Sequence, residues 1–202
     1  MIHEQSKMLE LMREFLGEDL VRLRVDGYDL HEDFSREDTR MACTIRHVDG
    51  HTDVIEGRGV GPIDAFFKGL IERMARDYPS LESLVIDKFV VVGKLGDGRG
   101  SQSDALASVT VGIRNSRGSH FEFVSESRSV TRSGIEATLR AAEYFMSSEL
   151  AFKKAYKALQ NARESKRPEL VARYTDLMSQ LVKNTSYSDV IEQIRSEFEG
   201  SR

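Results

Sequence analysis

The sequence predicts an α/β protein of the α+β kind, in which two pseudo-symmetric strand–strand–strand–helix units form one domain, flanked by an N-terminal helix and a C-terminal helical extension. Three observations lead there. Runs with period-two alternation come in threes, each set of three is followed by a segment with helical spacing of apolar residues, and the second set of four echoes the first.

The elements follow in order. Met8, Leu11, Met12, Phe15 and Leu16 stripe one face of an N-terminal helix, which either packs on the domain or links it to another. "LRVDGYDL" from Leu23 and "LVIDKFVV" from Leu84 share one pattern: Leu23, Val25, Asp26, Tyr28 and Leu30 answer to Leu84, Ile86, Asp87, Phe89 and Val91. "IRHVDG" from Ile45 and "IRNSRG" from Ile113 each end a strand in a polar turn with glycine, the mark of a hairpin. "EGRGV" at Glu56–Val60 returns as "ESRSV" at Glu126–Val130, and "IDAFFKGL" matches "IEATLRAA" after a two-residue insertion. Strands are expected over 20–32, 38–48 and 51–58 with a helix over 62–77, then strands over 84–95, 104–114 and 119–127 with a helix over 134–160. Beyond them "RPELVARYTDLMSQLVKN" starts a helix at Pro168, and "SYSDVIEQIRSEFEG" reads as a last short one capped by Ser188. The domain plan is residues 1–19 for the first helix, 20–147 for the two units (20–78 and 84–147) and 148–202 for the extension.

Composition narrows the function. The chain has 202 residues, 31% of them charged, yet its net charge is only −4, which leaves no basic footprint for nucleic acid or anionic membrane. No apolar run reaches the roughly 20 residues of a membrane span, and no signal peptide opens the chain. The single cysteine, Cys43, lies in the apolar run "MACTI" and reads as a buried thiol in a reducing compartment, so the expected location is the cytoplasm.

The crossing from strand to helix, "EGRGVGPIDAFFKGL", raises the question of a phosphate cradle, since glycine-rich turns and helix N-termini suit anions. The spacing of Gly57, Gly59 and Gly61 matches neither a dinucleotide fingerprint nor a P-loop, and Pro62 removes one backbone donor, so nucleotide binding is set aside. The glycines are expected to turn the chain at positive φ, where a Cβ would clash. A structural crossover with no ligand remains an open reading of these residues.

Two such units, the first crossing through Gly59-Val60-Gly61-Pro62-Ile63-Asp64-Ala65, resemble the C-terminal regulatory domain of α-isopropylmalate synthase and of its relative citramalate synthase. The resemblance covers residues 20–147. It implies a homodimer that binds a branched-chain amino acid, leucine or isoleucine, at the dimer interface as a feedback inhibitor of branched-chain amino-acid biosynthesis. Carried over, the effector residues are Gly59, Val60, Gly61, Pro62, Ile63 and Asp64 at the first crossing and Ser129, Val130 and Thr131 at the second. Asp64 either meets the effector's ammonium group or compensates the helix dipole. The second crossing departs from the family pattern, with Ser127 and Ser129 at the glycine positions and the insertion around Thr131-Arg132-Ser133. The synthases' catalytic barrel and its His-x-His metal pair have no counterpart in this sequence, in which no two histidines lie two residues apart.

Other constellations carry less. His47 and His51 flank a hairpin turn without further ligands, so no metal is expected, nor any cofactor. "GDGRGSQSD", Gly96–Asp104, is either a mobile loop or one that gates the effector. Ser101, Ser103, Asp104 and His120 supply nucleophile and base types but no catalytic motif, so no enzyme activity is expected. The expected partners are a small-molecule effector, a second copy and a separately encoded synthase. The alternatives are a dimeric interaction module that has lost the effector and a sensor acting on an unrelated partner.

Overall fold

The computed structural model describes residues 2–94 and 105–182. Its elements are α1 (Ile2–Leu16), β1 (Leu23–Asp33), β2 (Asp38–His47), β3 (Thr52–Gly59), α2 (Pro62–Met74), β4 (Val85–Lys94), β5 (Leu106–Arg114), β6 (His120–Ser127), α3 (Val130–Glu164) and α4 (Pro168–Leu181). This is the expected pair of strand–strand–strand–helix units with helices at both ends. The segment around Gly96–Asp104 and the short helix expected after Ser188 lie outside the described residues.

Each unit is a three-stranded antiparallel meander, ordered β1-β2-β3 and β4-β5-β6. The first ladder of each sheet carries one irregularity. The first strand pair shifts register between Val25 and Gly27 and the second between Ile86 and Lys88, so Asp26 and Asp87 each occupy a bulge. Both aspartates face an arginine from the neighbouring strand: Asp26 pairs with Arg46 at 2.5 Å, and Asp87 lies 3.7 Å from Arg114. Positive φ is found in the hairpin turns, at Gly50 (87°) and Gly118 (79°), where any side chain would be strained.

The glycines of the first crossing serve a different purpose from the one expected. Gly61 has φ −165° and ψ 172°, ordinary extended backbone, and no atom stands within 4 Å of where its Cβ would be. Close approach is the reason for Gly57 and Gly59. A Cβ on Gly57 would fall 2.8 Å from the carbonyl carbon of Ala65, and one on Gly59 2.6 Å from the Ala65 nitrogen. From the helix side, a Cβ on Gly69 would lie 2.9 Å from the Cα of Gly57. α2 therefore rests backbone to backbone on β3, and Ala65, Phe66, Leu70 and Met74 turn into the core with Cys43, Ile45 and Ile55. Burial raises the Cys43 thiol to about 11, leaving it protonated and unreactive.

The register also corrects the two-residue insertion. Thr39 pairs with Gly59 as Ala107 pairs with Ser127, and Gly61 and Ser129 are both N-caps. The glycines at 59 and 61 thus correspond to Ser127 and Ser129, and Thr131-Arg132-Ser133 is the first turn of α3. The match of "EGRGV" to "ESRSV" runs two residues out of phase with the strands. For the same reason α3 starts at Val130 rather than near residue 134.

α3 organises the rest. Its 35 residues bury Ile135, Phe145, Met146 and Phe152, and Phe145 meets Phe121 edge-on with centroids 5.2 Å apart. Glu143 and Ser147, one turn apart, accept the backbone N–H groups of Leu23 at 2.5 Å and Val21 at 3.2 Å, which fastens the entry of β1 to the helix. Further along, buried Glu149 accepts the Ser80 N–H at 3.0 Å and pairs with Lys153 at 2.8 Å. α4 folds back on α3 with Leu177 and Leu181 buried, and its Tyr174 meets Phe15 of α1 edge-on. Among the described residues no helix is long and apolar enough to cross a membrane.

A substitution separates the two roles of glycine. Gly69→Ala improves helix propensity by about 1 kcal/mol, but it drives a methyl group into the backbone of β3, and such overpacking costs about 1–3 kcal/mol. Urea denaturation should show net destabilisation for Gly69→Ala and little change for Gly61→Ala. Equal or greater stability in the Gly69 variant would mean that α2 does not sit on β3 as described.

Candidate functional site

The first crossing leaves β3 at Gly59 and enters α2 at Pro62, whose missing N–H falls where a helix has no internal partner for it. The N-cap Gly61 supplies no side-chain acceptor, and the first helical hydrogen bond runs from the Ala65 N–H to the Gly61 carbonyl at 2.9 Å. Asp64, in the third helical position, reaches back to accept the Val60 N–H at 3.0 Å and pairs with Lys68 at 2.7 Å. This is the geometry of a capping box displaced by one residue. Val60 stands out of the loop at 74% exposure.

The second crossing is closed by hydroxyl groups. Ser129 caps α3 by accepting the Arg132 N–H at 3.2 Å. Ser127 donates to the Ser129 carbonyl at 2.8 Å, accepts its N–H at 3.1 Å, and lies 2.8 Å from the Ser133 hydroxyl. Val130 and Thr131 open the helix, with Val130 partly exposed. The two crossings are thus alike in path and unlike in polarity: one is bare at its cap and the other satisfied by its own serines.

The structure brings the starts of the two helices together. Gly134, one turn into α3, makes room for Ile63 of α2, since a Cβ there would be 2.9 Å from Ile63 Cγ1 and 3.6 Å from the ring of Phe89. Ile63 is therefore committed to helix–helix packing. Nothing in a sequence pattern marks that role except a glycine inside an otherwise strong helical stripe.

Beside the crossings, apolar side chains lie uncovered. Tyr28 pairs with buried Cys43, and Leu30 with buried Met41, so both sit on the face of the sheet that carries α2. Phe89 and Val91 hold the matching places opposite Val111 and Val109 in the second sheet. The helices cover the middle and last strands of each sheet, and these four side chains on the outer strands remain exposed, Phe89 at 46%. A cavity of about 710 Å³ opens on this face of the first sheet, lined by Leu30, Met41, Gly57, Arg58 and Glu72. Periodicity identifies these residues as strand residues, but it cannot show that a helix stops short of them.

The other charged clusters are structural in form. Asp53 receives His47 at 2.7 Å and Arg73 at 2.5 Å, with His51 at 3.7 Å. Burial opposes the charge on Asp53, but the bonds from His47 and Arg73 outweigh it and hold the carboxyl below its usual range. Among the described residues no group of three or more histidine, cysteine or acidic side chains is arranged to hold a metal ion. His120, beside Gly112 in the second sheet, lies between Asp87 at 3.0 Å and Glu122 at 3.2 Å. Its hydrogen bonds to Asp87 and then to Glu122 raise the imidazole above its ordinary value. Ser101, Ser103 and Asp104 fall outside the described residues.

That shift fixes a sign. A histidine whose pKa is higher folded than unfolded stabilises the fold at pH values below the ordinary imidazole range, and this contribution is lost as pH rises through the folded value. Stability measured across that range should fall with rising pH in the native chain and fall less in His120→Gln. Parallel profiles for the two would remove the ionic link across β5.

No curated protein matches this chain. A family model does match it, over residues 4–146, which takes in most of α1, all six strands, α2 and the first half of α3 together with both crossings. The domain described by that model is regulatory rather than catalytic, and with its match to more than half the sequence the chain belongs to the LeuA allosteric (dimerisation) domain family.

Proposed function

We propose that this chain is a non-catalytic regulatory domain that pairs with a second copy and binds a branched-chain amino acid, leucine or isoleucine, beside the Gly59–Asp64 crossing. It serves in the cytoplasm to couple that amino acid to its own biosynthesis by acting on a synthase. The observation that carries this reading is the uncovered apolar row, Tyr28 and Leu30 on β1 with Phe89 and Val91 on β4, next to the helix starts. In a dimerisation domain such a row is what a second protomer would cover. The bare cap at Gly61 gives an amino acid's carboxylate a helix N-terminus that no side chain of the cap occupies, and Val60 offers an apolar contact beside it. The domain proper is taken as 20–147, with the remainder of α3 and α4 as an extension.

A second reading has its own support. The second crossing is filled by the Ser127, Ser129 and Ser133 hydrogen bonds, and Ile63 is committed to Gly134. A dimeric interaction module that no longer takes an effector would look the same there. In that case Ser129, Val130 and Thr131 contribute a closed helix start and no ligand contact.

Thermal shift with leucine, isoleucine and the other amino acids, together with light scattering, separates the two. A ligand at 100 times its Kd adds about 2.7 kcal/mol of stability. The effector reading expects a selective shift with leucine or isoleucine in a dimeric protein, lost in Gly61→Val, a position where the added side chain meets open space. A dimer with no shift favours the interaction module. A monomer at tens of micromolar would overturn both.

A further inference from the structure

We propose that the cavity between α1 and α3, on the side of the domain away from the crossings, is a binding site for a small organic monocarboxylate with an aliphatic body. The cavity holds about 490 Å³, within the range that accepts small organic ligands. Its wall is apolar where α1 meets the second sheet, through Leu9, Leu20, Val21 and Phe123. Three exposed arginines from three different segments line it: Arg13 on α1, Arg22 ahead of β1 and Arg140 on α3.

Charge is unbalanced in favour of an anion. Among the described residues neither Arg13 nor Arg22 is within salt-bridge distance of a carboxylate, and the one polar bond of Arg140 is donated to the Val124 carbonyl. Two acidic residues line the same cavity. Glu122 has its carboxylate held by Lys88 and His120. Glu143 is held by the Leu23 N–H, and burial raises its carboxyl above the usual range despite that bond and the nearby Arg140 and Arg22. A ligand carboxylate therefore finds three arginines, with Glu122 and Glu143 each already bonded elsewhere. An ammonium group would meet the same arginines, which favours a carboxylate over a cation at this site.

The frame is fixed before any ligand enters. Gln5 closes the end of the cavity by pairing its amide with the backbone of Glu122, donating to the carbonyl at 3.1 Å and accepting the N–H at 3.4 Å. The Ser147 and Glu143 bonds to Val21 and Leu23 hold the opposite wall. A preformed wall lowers the ordering cost of binding.

The test titrates the full chain with hexanoate, 1-hexanol and hexylammonium, read by the backbone amide resonances of Val21 and Leu23. Saturable shifts with hexanoate alone are expected. Because a charge-assisted hydrogen bond is worth a factor of about ten or more, Arg22→Gln and Arg140→Gln should each weaken binding about tenfold. Arg22 is exposed and outside the core, so its variant stays folded and decides the matter if the Arg140 variant does not. Gly61→Val should leave the hexanoate response unchanged, which keeps this site independent of the crossing. No saturable response, equal binding of hexanol, or full affinity in Arg22→Gln would overturn the proposal.

Discussion

The contact on which the first unit depends is one that side chains are kept out of. With no Cβ on Gly57 and Gly69, α2 descends until its backbone touches β3, and every apolar side chain on that helix is then placed by the strand beneath it. Phe66 and Leu70 reach full burial, Ile63 is carried across to α3, and Gly61 is set at the exact height where the chain can re-enter a helix through Pro62. A single methyl group on either glycine would lift the whole helix.

The second unit reaches the same path by other means. Ser125 and Ser127 replace the glycines facing the helix, and each hydroxyl is spent on it: Ser125 donates to Glu136 at 2.8 Å, and Ser127 lies against Ser133. Small polar residues keep the helix close while their hydroxyls find partners, which burial requires of them. The cost in adaptability is that the second crossing has few polar groups left to offer a ligand. An asymmetric pair of crossings arises from two solutions to one packing problem.

Much of this was legible in the sequence where local physics decides. Alternation located all six strands, and the hairpin glycines Gly50 and Gly118 sit at the positive φ values that their turns demand. What was not legible depends on neighbours distant in sequence. Gly57 and Gly59 looked like turn residues and are contact residues, because only the docked helix reveals the missing space. The two-residue slip between "EGRGV" and "ESRSV" arose because the Glu-x-Arg match outweighed the strand register, which only the β2–β3 and β5–β6 ladders fix. The sequence drew attention to the residues of the first crossing but not to the bare row on β1 and β4, since coverage by a helix is a property of packing.

The length of α3 has a mechanical meaning. At 1.5 Å per residue a helix of this length is a rod of about 50 Å, anchored at its N-terminus beside Ile63 and joined along its side to β1, to the turn at Ser80 and to α4. By simple trigonometry a tilt of about 5° around its first turn carries its last turn through roughly 4 Å. The bonds from Glu143, Ser147 and Glu149 along its side oppose such a tilt, so the rod could swing only by breaking them or by carrying the start of β1 and the Ser80 turn with it.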